Sequence, residues 1–111
     1  MTNVFVLSGI IQNVVIPDKE KPSALILLQY GPTRERQGNR PVEFINAVPI
    51  RVPAMRLERI RDRLEVGARV SVTGRQQGVL KGVMSDGFIT TELVADRVNF
   101  EEPFETAADA E

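Results

Sequence analysis

The chain reads as a small all-β barrel of five strands with one helix between the third and the fourth. Three observations predict this. Of 111 residues, 42% are hydrophobic, and the only aromatics are five Phe and one Tyr, so the core must be filled by Val, Ile and Leu. The apolar residues fall in short, β-branched runs separated by stretches rich in Gly, Pro and Asn. One segment alone, Pro53 to Leu64, switches from a two-residue to a helical period.

The elements follow in order. Asn3 to Ile16 is too β-branched for a good helix and reads as a long strand; Gly9 inside it suggests a bulge or a bend. Pro17 to Pro22 is a polar turn. Ala24 to Tyr30 (ALILLQY) is a second strand, whose near-continuous apolar run implies burial on most sides. Gly31 to Pro41 (GPTRERQGNRP) is a loop by its turn chemistry. Val42 to Val52 is the third strand, with Pro49 marking an edge or a bulge. In PAMRLERIRDRL, Leu57, Ile60 and Leu64 form a helical stripe, Pro53 suits the first turn and Gly67 suits the stop. Arg69 to Gln76 alternates as a fourth strand, with Val70 and Val72 on one face and Ser71 and Thr73 on the other. Gln77 to Gly87 is a loop or hairpin, and Phe88 to Phe100 is a bent fifth strand. Residues 101–111 have no periodicity and read as a disordered acidic tail behind a folded body at 1–100. Three strands, a helix and two strands is the layout of the OB-fold, a Greek-key barrel; another small barrel, or a sandwich with an inserted helix, is the alternative.

Composition excludes several functions. The chain has no cysteine and no histidine, which rules out disulfides, thiolate zinc sites, a Cys nucleophile and a Ser-His-Asp site. No GxxxxGK[ST] motif or paired acidic motif stands out, so the expectation is a protein that is not an enzyme and holds no cofactor or metal. No run approaches a membrane span, and MTNVFVLSG lacks the basic lead of a signal peptide; a cytoplasmic protein is expected. The net charge of −1 conceals an asymmetry: Arg34 to Lys81 holds eleven basic and five acidic residues, whereas Phe100 to Glu111 holds five acidic and none basic. Such a pattern fits nucleic-acid binding with a tail that competes for the basic face, or simply a solvated surface.

Three segments carry a resemblance. MTNVFVLSGII resembles the opening strand of primosomal replication protein N, a small relative of the bacterial single-stranded DNA-binding proteins. LEVGARVSVTG (Leu64 to Gly74) resembles that superfamily's post-helix strand, and ITTELVADRVNF (Ile89 to Phe100) its last strand. Together they cover about a third of the chain, and the element order extends the likeness to roughly residues 1–100. The tail lacks the terminal Pro-Phe docking tip of the main single-strand binders, which makes the shorter primosome accessory the nearer model.

The resemblance implies single-stranded DNA, or alternatively RNA, lying across an OB barrel in a homodimer or homotetramer, with replication or primosome proteins as partners and a role in replication, restart or plasmid maintenance. By position, Phe44 matches the stacking aromatic of the third strand, Arg34, Arg36 and Arg40 the basic loop before it, and Lys81 the long hairpin that grips DNA. Arg34, Arg36 and Arg40 would then catch backbone while Phe44 takes a base. Alternation does not decide Phe44: it shares a face with Asn46, Val48, Ile50 and Val52, an exposed reading by Asn46 and a buried one by the rest. Tyr30 beside the basic loop and Phe88 beside the last hairpin are further candidates for stacking, and Arg75 for phosphate. Arg51 and Arg69 also lie on strands. The helix arginines Arg56, Arg59, Arg61 and Arg63 read as a solvated face partly neutralised by Glu58, Asp62 and Glu65. The rival function is an OB-fold subunit of a replication complex that contacts protein and does not bind DNA strongly.

Overall fold

The computed structural model describes residues 1–16, 23–32, 35–37, 40–42, 45–82 and 87–101, with backbone only at 35–37 and 40–42. Strands β1 (Phe5–Val15), β2 (Ala24–Gln29), β5 (Ala47–Val52), β6 (Arg69–Lys81) and β7 (Phe88–Phe100) close into a barrel in the order β1-β2-β5-β7-β6. A short two-stranded ribbon, β3 (Glu35–Gln37) and β4 (Arg40–Val42), stands apart from it. Helix α1 (Ala54–Ile60), continued by a 3-10 turn (Arg61–Arg63), joins β5 to β6. This is the five-stranded OB layout that the element order predicts.

Closure depends on β1, which serves two neighbours. Phe5 to Ile10 pairs with Gly74 to Arg69 of β6, and Ile10 to Val15 pairs with Gln29 to Leu25 of β2. The register slips between Ile11 and Asn13, so the bulge lies at Gln12 and not at Gly9. Gly9 answers a different need: a Cβ there would sit 2.0 Å from the Gln29 carbonyl oxygen, where β1 crosses onto β2. The β1–β6 ladder ends at Phe5 and Gly74, and the side chain of Asn3 extends it. Its Nδ2 donates to the Gln76 carbonyl at 2.7 Å, and its Oδ1 accepts from the Gln76 N–H at 2.9 Å.

The core is aliphatic, as composition demands: Ile11, Ile26, Leu28, Ile50, Val52, Val70 and Val72 are fully buried, and Leu57 of α1 fills one end at 1% exposure. No polar or charged residue is buried among the described residues. Gly67 ends the helical segment at φ +95°, the left-handed region where glycine costs nothing.

Four further expectations change. β2 alternates: Ala24, Ile26 and Leu28 are buried, while Leu27 is 37% exposed, so its apolar run does not mean burial on most sides. The loop from Gly31 to Pro41 holds the β3–β4 ribbon. The third strand begins at Ala47, not Val42; its pairing with β7 is parallel and covers Ile50 and Arg51, which leaves Pro49 clear of it. The stretch after Gln76 is strand as far as Lys81, paired with β7 up to Lys81 and Phe88.

Candidate nucleic-acid interface

Alternation sets which side chains leave the barrel. On β2 these are Leu25, Leu27 and Gln29; on β5, Pro49 and Arg51. The registers Leu25–Arg51 and Leu27–Pro49 place them side by side. The far half of the β6–β7 hairpin leans over this face, and together they form an open cleft of about 350 Å³, with Leu25, Pro49 and Arg51 on one wall and Val79, Lys81 and Thr90 on the other.

Charge in the cleft is fixed by Glu92. Its Oε2 accepts from Arg51 Nε at 2.5 Å and its Oε1 from Gln77 Nε2 at 3.0 Å, while Arg51 also donates to Ser23 Oγ at 3.1 Å. Partial burial of the carboxyl pushes its pKa up, but the bonds from Arg51 and Gln77 and the charges of Arg51 and Lys81 outweigh this and hold it below the ordinary glutamate value. A lowered folded pKa adds stability above the unfolded value near 4.5, and that stability fades as pH falls through the lowered value. Arg51 is 38% exposed, so the pair contributes only about 0.2–1 kcal/mol. Glu92→Gln should therefore flatten the acid limb of the stability–pH profile, read by urea unfolding from pH 7 to 3. An acid limb as steep as the unmodified protein's would refute this role.

Lys81 makes no ion pair among the described residues. It stands directly across the ladder from Phe88, which is 61% exposed. Cross-strand partners share a face with Cβ atoms about 5 Å apart, so an ammonium and an open aromatic ring adjoin at the end of the hairpin. Leu80 and Ile89, the preceding pair, are also exposed.

Tyr30 and Asn46 lie elsewhere. They meet at the other end of β2, where the Tyr30 N–H donates to the Asn46 carbonyl at 2.9 Å and Asn46 Nδ2 donates to the Pro32 carbonyl. Asn46 thus braces the turn after β2. Arg75 pairs with Asp96 at 2.7 Å. Asp96 is the extra residue of a bulge in β7, between Ala95 opposite Gly74 and Arg97 opposite Thr73. Arg36 and Arg40 fall on β3 and β4, while Arg34 and Phe44 lie outside the described residues. Of the helix arginines, Arg61 pairs with Glu58 at 3.8 Å and Arg63 lies 4.4 Å from the Phe100 ring centre, so Phe100 is packed on one side by a cation. No helix residue lines the hairpin cleft. Sequence reasoning missed Glu92 and gave Arg51 no role. The signal available was a charged residue at the outward register of an otherwise apolar strand.

No protein-family model and no curated protein sequence matches this chain. Solved structures do. The chain is similar to a small single-stranded DNA-binding protein from Streptomyces coelicolor, with TM-score 0.57 and 15% identity over 91% of this chain and 96% of that one. It is also similar to the Plasmodium falciparum SSB solved as a complex with ssDNA, with TM-score 0.62 and 21% identity over 92% of this chain and 96% of that one. At these identities the likeness is one of fold. No described helix is long and apolar enough to cross a membrane.

Proposed function

We propose that this protein binds single-stranded DNA with little sequence preference, as a non-enzymatic member of the bacterial single-stranded DNA-binding protein superfamily close to primosomal replication protein N. The observation that carries the reading is the far end of the β6–β7 hairpin: Lys81, with no ion pair among the described residues, lines the cleft over the outer face of β2 and β5 and stands across the ladder from the open ring of Phe88. Binding without sequence preference needs cations along the phosphates and flat rings for unstacked bases, and the end of this hairpin offers both. The fold likeness to a chain solved with ssDNA supports the same reading. The protein acts in the cytoplasm in replication, restart or plasmid maintenance, as a homodimer or homotetramer and with replication or primosome partners. By the family resemblance, Arg34, Arg36 and Arg40 contribute further cations and Phe44 a further ring for the same strand. The acidic residues 101–111 compete with the strand for the basic face.

The test is fluorescence anisotropy of labelled oligo-dT against a duplex and an RNA control at roughly 50 and 200 mM salt, the range over which several phosphate contacts show as a steep loss of affinity. The expected result is salt-sensitive binding selective for the single strand, tightened at low salt by truncation after Phe100. Equal affinity for duplex, or none for the single strand, would remove the reading; an unchanged affinity after truncation would remove the tail's part in it. The second reading, a protein-contact subunit, draws on the exposed Leu80, Phe88 and Ile89, at 50%, 61% and 73%. It predicts no binding at low salt.

A further inference from the structure

The cations of the barrel strands divide into two groups. Arg51 and Arg75 are neutralised by Glu92 and Asp96. Arg69, Lys81 and Arg97 make no ion pair among the described residues. Lys81 lines the hairpin cleft. Arg69 lines a second open cleft, of about 420 Å³, at the opposite end of β2, together with Ser8, Gln29, Tyr30, Pro32 and Glu101.

This second cleft brings a cation and an aromatic together in one lining. Arg69 is exposed and supplies a cation with no partner among the described residues, and Tyr30, 41% exposed, supplies an aromatic face. Its walls are fixed before any ligand arrives. Gln29 Nε2 donates to the Gly31 carbonyl at 2.9 Å, Asn46 Nδ2 donates to the Pro32 carbonyl, and the Tyr30 N–H donates to the Asn46 carbonyl at 2.9 Å. Its floor is the close crossing of Gly9 on Gln29, where not even a Cβ fits. A wall held by three hydrogen bonds on a floor of packed backbone loses little freedom on binding. Along β2, Leu25 touches the first cleft and Gln29 the second. At ~3.3 Å per strand residue they are about 13 Å apart, well within the ~4–16 nucleotides that one OB barrel engages.

We propose that the Tyr30–Arg69 cleft is a second subsite for the same single strand, in which Arg69 takes a phosphate and Tyr30 takes a base, with the outer face of β2 leading from one cleft to the other. The inference rests on the single-strand reading. Glu101 sits at the same cleft, where its carboxylate opposes a phosphate, so its removal acts in the opposite direction to removal of Arg69.

The experiment is anisotropy on the full chain with oligo-dT of about 5, 10 and 20 nucleotides, across the site-size range of an OB barrel. The variants are Arg69→Gln, Glu101→Gln and, as reference, Lys81→Ala. Arg69→Gln is expected to weaken binding of the longest strand about fivefold at low salt, the effect of losing one exposed charge contact. It should also lower the slope of log affinity against log salt by about 0.7, one phosphate on a single strand. Glu101→Gln is expected to tighten binding, which misfolding cannot imitate. If Lys81→Ala weakens binding while Arg69→Gln and Glu101→Gln change neither affinity nor slope at any length, the second subsite is refuted and the single-strand reading stands. If the unmodified protein binds no single strand, both fall together.

Discussion

Phe88→Ala weakens binding of a labelled oligo-dT about 5- to 150-fold without changing its salt dependence. The ring stands open at the end of the hairpin, across the ladder from Lys81. It is 61% exposed and ends the β6–β7 ladder, so its removal takes little from the core. What is lost is one stacking platform, about 1–3 kcal/mol per base by alanine substitution. Stacking carries no counterions, so the salt slope stays put. Its cross-strand partner behaves in the complementary way: Lys81→Ala lowers the slope by about 0.7, since one phosphate contact on a single strand disappears. The pair of variants thus separates the two halves of the proposed chemistry with one assay at several salt concentrations. Should Phe88→Ala bind oligo-dT as tightly as the unmodified protein, the hairpin is not where bases stack. The exposed Leu80 and Ile89 beside it would then point to protein contact.

The reason this hairpin was only partly legible in the sequence is physical. Val70 and Val72 announce their strand because one face is buried and the other is not. From Arg75 to Gly78 every residue is exposed, and only Val79 is half-buried before Lys81. A ribbon that leaves the barrel has no buried face, so no two-residue period survives to be read. Its glycines add to the impression of a loop, although Gly78 sits within the ladder opposite Thr91, with the Ile89 side chain 3.0 Å from where a Cβ would stand. The same limit hides the pairing of Arg51 with Glu92: the two are 41 positions apart and meet only because β5 and β7 run in parallel register there. By contrast, Leu57 and Leu64 announce α1 and its continuation, because both pack into the core. The sequence offers Tyr30, Phe88 and Arg75 by residue type and place, and Lys81 by the family resemblance; the grouping of Lys81 with Phe88 and of Tyr30 with Asn46 comes from strand pairing, which no local pattern carries.

Gly74→Ala should destabilise the barrel by about 3 kcal/mol, the upper part of the range for overpacking a filled site. Gly74 stands where the β6–β7 register slips, facing Ala95 while Asp96 is left over. The bend presses the β7 backbone against it. A Cβ at this position would lie 2.0 Å from the Val94 carbonyl oxygen and 2.8 Å from Cε2 of Phe5. The aromatic contact can be relieved, since a ring edge can move, but the carbonyl belongs to a strand locked on both sides. Phe5→Leu in the Gly74→Ala background is therefore expected to restore little. Gly67→Ala provides the contrast. Its φ of +95° makes any side chain strained, yet nothing lies within 4 Å, so the cost is conformational alone, about 1–2 kcal/mol. Urea unfolding of the three variants orders them: Gly67→Ala mild, Gly74→Ala severe, and the double variant close to Gly74→Ala. If Gly74→Ala matches Gly67→Ala, β7 yields easily at the bulge. The bend that carries the hairpin over β2 and β5 would then be a soft one, and the cleft it forms with Leu25, Pro49 and Arg51 would owe its shape to something other than this glycine.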